Sequence, residues 1–264
     1  MKANVRTSWQ VTRSVWSALF IREALARTTA DRFAWFWMLA EPIALIVIMV
    51  GIRAVGNKLL NNIAGADYIG WSMLGLMGFF LYRECLNRSL GAIDSNKGLF
   101  NYRQVLPVDT VIVRCALEGL IKTIIFLIFI FLGAWLRFDF LPDDSMESIY
   151  VWCTLWMIGL ASGMVFSVLN TLYTDIGRIV KICMLPLLIL SGTLMPINYL
   201  PVDIQELLLI NPLVHGLELL RQSFYSEYRM INGISFMYLN LWAIGLMALG
   251  LWLNIFFLKR LKTL

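Results

Sequence analysis

Three charged residues inside one apolar run pose the first chemical question. Arg114, Glu118 and Lys122 recur four apart, so a helix sets them on one face where they can neutralise one another. Charge at bilayer depth is costly, and it is usually paired or functional. The preferred reading is a self-contained ladder facing another helix; the alternative is the hydrophilic flank of a conduit. Glu41 differs. No basic residue lies within one helical turn of it, and Pro42 frees a backbone carbonyl beside it, so it is expected to face a polar interior. His215, the single histidine, sits just after Asn211-Pro212 and reads as a hydrogen-bonded structural residue.

Other chemistries find no foothold. The sequence has no Gly-x-x-x-x-Gly-Lys-Ser/Thr loop, so the chain is not expected to hold ATP in that manner. Cys85, Cys115, Cys153 and Cys183 lack metal or redox spacing and read as packing residues. Neither a metal site, a cofactor nor a catalytic residue is expected. Asp94, Asp109 and Asp175 are scattered and partnerless, which disfavours a transferase acting on lipid-linked sugar. A proton-driven secondary transporter working through Glu41 is a further alternative, weakened by the lack of an internal repeat.

The elements that must position these residues are membrane helices. Of 264 residues, 59% are hydrophobic, and the mean hydropathy is +0.74. Soluble domains hold about 45–50% apolar residues, so the fold class is an all-α integral membrane protein. Six spans are expected, at about 33–52, 68–90, 111–136, 149–172, 179–195 and 234–257. Residues 1–32 read as a basic amphipathic helix on the membrane surface, with no cleavable signal. Lys and Arg gather in the tail, in 83–114, at Arg178 and Lys181, and at the C-terminus, whereas 137–147 is acidic. Both termini are therefore expected in the cytoplasm. The net charge of +5 suits anionic lipid rather than nucleic acid.

Three stretches interrupt or flank the spans. In 94–109, Leu99, Tyr102 and Val105 recur every third residue, with Phe100 extending the apolar side and Lys97 and Arg103 flanking it. A docking helix and a plain interfacial turn both fit that pattern. Residues 196–228 hold two apolar pieces too short to cross, split at Asn211-Pro212: a re-entrant hairpin, interfacial helices or a folded loop. Aromatics crowd the first span, Trp35 and Trp37 among them, as an interfacial belt or as flat faces for sugar rings. Gly159 and Gly163 form a GxxxG pair suited to helix packing.

Gly91-Ala-Ile-Asp-Ser-Asn-Lys-Gly-Leu-Phe-Asn-Tyr-Arg103, followed by Pro107-Val-Asp-Thr110 and Arg114, resembles the membrane subunit of Gram-negative group 2 capsular polysaccharide exporters of the ABC-2 type. Asn211-Pro-Leu-Val-His215, Glu218-Leu-Leu-Arg221 and Leu39-Ala-Glu-Pro42 are similar to the same family. The sequence departs at Gln104, where proline is expected, and at Lys122, where an uncharged residue is expected. The resemblance implies a non-enzymatic, channel-forming half-transporter in the inner membrane. It implies a homodimer, driven by a separate cytoplasmic ABC ATPase that binds the ATP. Residues 94–106 would be the coupling helix, meeting the ATPase through Asn96, Lys97, Gly98, Leu99, Phe100, Asn101, Tyr102 and Arg103. Residues 196–228 would form periplasmic gate helices carrying Asn211, Pro212, His215, Glu218 and Arg221. Arg6, Arg13 and Arg22 would stand at an entry for a lipid-linked acidic glycan; on the charge and aromatic readings above, Trp35, Trp37, Glu41, Glu118 and Lys122 are the candidates for the path. A periplasmic co-polymerase and an outer-membrane export protein would complete it. Export of O-antigen or teichoic acid is the alternative within the superfamily.

Overall fold

The computed structural model describes residues 7–30, 36, 40, 41, 43–45, 47, 48, 63–136 and 140–263. Most of the expected first span, with Arg6, Trp35 and Trp37, lies outside them; the described residues within it, Glu41 included, are helical. The helices are α1 (Ser8–Ala30), α2 (Tyr68–Leu90), α3 (Pro107–Trp135), α4 (Ser145–Leu172), α5 (Asp175–Leu190), α6 (Val202–Leu208), α7 (Pro212–Phe224), α8 (Phe236–Phe256) and α9 (Leu258–Thr263). A 3-10 segment, Asp94–Asn101, joins α2 to α3, and a shorter one, Ile197–Tyr199, precedes α6. Among the described residues no strand forms.

Local chemistry fixes the helix starts. Asp67 caps α2 by accepting from the Ile69 and Gly70 amides at 3.1 and 3.3 Å. Pro107 opens α3, and Asp109 reaches back to accept from the Leu106 amide at 2.9 Å. Asp144, Asn211 and Ser235 cap α4, α7 and α8 in the same way. The fifth apolar run is shorter as a helix than its hydropathy suggests. It stops at Leu190, and Gly192 follows with φ +68°, a left-handed turn that glycine adopts without strain.

The centre of the molecule is α2. Trp71, Leu74, Leu76, Met77, Phe79, Phe80 and Leu81 are all at most 1% exposed, so α2 is sheathed on every side. Against it lies α4, with small residues at the contact. A methyl at Gly159 would come within 2.9 Å of Cys85 Cβ, and one at Gly163 within 2.5 Å of Ser89 Oγ. The GxxxG pair thus permits close approach. On its other side α4 packs against α8. The outer helices face away from the core: Phe131, Ile182, Met237, Ile244 and Ile255 are largely exposed, as a lipid-facing or subunit-facing surface requires. Among the described residues α3, α4 and α8 are long and apolar enough to cross a membrane. In contrast, α2 carries Arg83, Glu84 and Arg88, and α5 has 16 residues with Pro186 inside.

Candidate functional site

Three clusters collect the chemistry-bearing residues. The first is the turn after α2. It is a 3-10 segment that ends at Asn101, so Tyr102 and Val105 of the expected short helix lie beyond it. Asn96 and Phe100 point inward. Asn96 Nδ2 donates to the Ala92 carbonyl at 2.7 Å, and its Oδ1 accepts from Arg22. Phe100 is 5% exposed and packs with Ile93, Val111, Val168 and Leu261. The expected apolar contact face is therefore corrected: Phe100 anchors the turn to its own fold. Lys97 pairs with Asp94 at 3.1 Å. Gly98, Asn101, Tyr102, Arg103 and Gln104 are exposed, Leu99 is half-buried, and Tyr102 shows two-thirds of its surface.

Helix α1 straps the second cluster to the first. Its inner stripe, Trp16, Leu19, Glu23 and Arg27, has the three- and four-residue spacing of one helical face. Trp16 Nε1 donates to Asp109 Oδ1 at 2.8 Å, Leu19 is buried, Glu23 pairs with Arg114, and Arg27 pairs with Glu118. Glu118 also meets Arg88 at 3.1 Å, Arg88 stands 4.0 Å from Glu84, Glu84 binds Arg83 at 2.8 Å, and Arg83 binds Glu41 at 2.7 Å. Alternating charges thus run from α1 through α3 and α2 to the helical residues around Glu41. Burial, with Arg88 close by, brings Arg27 down to about 10, still cationic at neutral pH.

Two sequence readings are corrected here. The Arg114–Glu118–Lys122 ladder does not neutralise itself: its arginine and its glutamate are each claimed by α1, and Lys122 lies 5.7 Å over the Phe80 ring. Glu41 has a specific partner, Arg83, supplied by α2 rather than by its own helix. Spacing along one helix reveals a shared face but not the element that will cover it. Arg13 is exposed on the outer side of α1. Glu23, Arg27 and Arg88 are not singled out from sequence. The usable signal was the i,i+4 spacing of Glu23 with Arg27 and of Glu84 with Arg88.

The third cluster lies where α7 meets α2, far from the first two along the chain. Glu218 and Arg221 are both fully buried and pair at 2.7 Å. Arg221 also donates to the Gly192 and Trp71 carbonyls at 2.9 and 3.3 Å, and its guanidinium stacks 3.7 Å over the Trp71 ring. Tyr228 donates its hydroxyl to Glu218 at 2.9 Å and accepts from Trp71 Nε1 at 3.1 Å. Burial, reinforced by the Glu218 carboxylate, pushes the Tyr228 phenol up. Gly75 makes room: a methyl there would sit 2.3 Å from Arg221 Nη2. Next to this clamp, His215 Nδ1 accepts from the Ser235 amide at 3.0 Å, so its Nε2 carries the proton donated to the Leu209 carbonyl at 2.8 Å. Asn211 and Pro212 start α7, as its cap and first residue. Trp71, Gly75 and Tyr228 belong to this site although nothing local in the sequence marks them.

Among the described residues no group of acidic, histidine and cysteine side chains converges as a metal site. The described residues form a helical bundle with buried ion pairs, an exposed turn carrying Tyr102 and Arg103, and three helices long and apolar enough to cross a membrane, the frame of a membrane protein. The ABC-2 type transporter model matches residues 14–225, so the chain belongs to that family. It is 30% identical to the polysialic acid transport protein KpsM of Escherichia coli over 93% of this chain and 94% of that protein. It is 28% identical to the capsule polysaccharide export inner-membrane protein CtrC of Neisseria meningitidis serogroup B, over 86% of each. It is 26% identical to the capsule polysaccharide export inner-membrane protein BexB of Haemophilus influenzae, over 95% of this chain and 93% of that protein.

Proposed function

We propose that this chain is the channel-forming subunit of an ATP-driven exporter of lipid-linked acidic capsular polysaccharide in a Gram-negative inner membrane. Six crossings, both termini in the cytoplasm and periplasmic helices over 196–228 complete the topology. Two copies form the conduit, and two copies of a separate ABC ATPase supply the energy. A periplasmic co-polymerase and an outer-membrane export protein receive the polymer. The reading is supported by family membership across most of the chain together with one geometric observation: the turn at 94–104 buries Phe100 and Asn96 while leaving Tyr102, Arg103 and Gln104 exposed. A turn anchored from within and bare at its tip suits a soluble partner.

The test separates anchor from tip. Tyr102→Ala with Arg103→Ala should leave the protein in the membrane at normal level, lose the co-purifying ATPase and abolish surface capsule. Phe100→Ala should lower the amount of folded protein as well. Normal capsule and normal ATPase recovery in the Tyr102/Arg103 variant would sink the coupling role.

A further inference from the structure

One cleft stands apart from the clamp and borders the ion-pair chain, with which it shares Arg88 and Arg114. It has a volume of about 340 Å³ and lies where the end of α2, the start of α3, the end of α4 and the start of α5 converge. Arg88, Arg114, Arg178 and Lys181 line it, with Asn87 and Asn170, and among the described residues no acidic one does. The carboxylates that serve these cations lie elsewhere. Arg88 and Arg114 face Glu118 and Glu23 through Nε, and a guanidinium has further N–H donors on its other nitrogens. Arg178 pairs with Asp175 at 3.2 Å on the exposed surface, and among the described residues Lys181 has no ion pair. Three of these cations are balanced by carboxylates set back from the lining and, among the described residues, Lys181 is not, so the cavity itself presents a cationic wall to an anion.

The walls are built rather than incidental. Asn170 Nδ2 donates to the Leu90 carbonyl at 3.0 Å, and its Oδ1 accepts from the Gly177 amide at 2.9 Å. One side chain thus staples the ends of α2 and α4 to the start of α5. A methyl at Gly177 would meet Asn170 Oδ1 at 2.3 Å, so the staple needs glycine. Asn87 carries a buried side-chain oxygen without a hydrogen-bond partner among the described residues. Asn87 also borders the cleft, and its side-chain amide is a hydrogen-bonding group at that wall.

We propose that this cleft binds a phosphate group. Arginine forks match phosphate oxygens two at a time, a mobile lysine adds a point charge, and the polar amides complete the shell. The size fits a phosphate bearing a small headgroup or one sugar. Its placement on the cytoplasmic side rests on the topology proposed above; the site itself does not.

Binding to the purified full-length chain tests it, with two probes: pyrophosphate for a soluble source and dioctanoyl phosphatidic acid for a lipid source. Arg178→Gln with Lys181→Gln should weaken probe binding by about tenfold or more while leaving the thermal midpoint unchanged, because both side chains are exposed and outside the core. Lys259→Gln with Arg260→Gln removes the same charge elsewhere and should leave binding intact. Binding of both probes shows that phosphate alone is read; binding of one assigns the source. Failure of the wild-type chain to bind either probe, or equal loss in the control pair, overturns the site. Normal binding in a chain that recruits no ATPase would instead overturn the export reading and leave the site standing.

Discussion

The two charged clusters use the same chemistry under opposite conditions. In the clamp at α7, Glu218 and Arg221 are wholly enclosed, and two carbonyls, an indole ring and a phenol surround the pair. In the chain along α1, α3 and α2 only Glu118 is enclosed, at 3% side-chain exposure; Glu23, Arg114, Glu84 and Arg83 are partly exposed, and Arg27 at 22%, Glu41 at 43% and Arg88 at 56% reach outward. A closed site of this kind fixes one arrangement, because breaking it strands a charge with no route to water. An open one tolerates exchange of partners, since a released arginine can find solvent or a ligand. The closed cluster reads as scaffold, and the open one as the part able to respond to what binds beside it.

The largest expected effect comes from breaking the closed site. Arg221→Met leaves Glu218 buried and unpaired, a loss of about 3–5 kcal/mol. Most of the protein should fail to accumulate, and the remainder should melt far lower in detergent. Adding Glu218→Leu should recover more than half of the loss, since an apolar pair of similar volume removes the stranded charge. No recovery would mean that the hydrogen bonds to Gly192 and Tyr228, rather than the ion pair, hold α7 in place.

Exchanging Glu118 and Lys122 sharpens the contrast. A self-contained ladder would survive the swap. In the structure, Glu118→Lys with Lys122→Glu sets a new cation against Arg27 and Arg88, and should cost about 2–3 kcal/mol, with Arg88 able to swing toward solvent. Thermal melting of the swapped protein at the wild-type midpoint would refute the pairing to α1.

How much of this was visible in the sequence depends on range. The apolar runs place α2, α3, α4 and α8, because twenty or so consecutive apolar residues leave few other structures. The i,i+3 spacing of Glu218 and Arg221 was visible as well. Their enclosure was not: Trp71 is 150 residues from Arg221, and no local pattern reports which helix will supply the ring. The ladder failed for the same reason, as α1 claims charges that the spacing assigned to one another. Phe100 shows a different limit. An aromatic among polar residues fits an outward face and an inward anchor equally, and only its burial in the cluster that includes Leu261 and Val168 decides.

A smaller effect isolates the strap. Glu23→Gln removes one of the several contacts of α1 and should cost about 1 kcal/mol or less, because Glu23 and Arg114 are both partly exposed. The change should appear as faster amide exchange along α1, with α2 unaltered, and it should shrink at high salt in the wild-type protein as the pair is screened. Uniform acceleration in α1 and α2 would make the strap part of the core.

The smallest expected effect concerns pH, and it tests whether the closed region extends to His215. Burial lowers the His215 pKa in the folded chain below its ordinary value near 6.5. A histidine depressed on folding binds protons more readily when unfolded. Its contribution to stability is therefore complete above pH 6.5 and falls as pH drops from there through the folded value. Protonation adds a proton at Nδ1, the atom that accepts from the Ser235 amide, so the start of α8 loses its tie to α7. The midpoint should decline between pH 7 and 5 in the wild-type chain. In His215→Gln the baseline should be lower and this part of the decline absent. A slope unchanged by the substitution would assign it to the carboxylates, for example to Asp143, whose acidity is strengthened by the Ser226 amide at 2.7 Å.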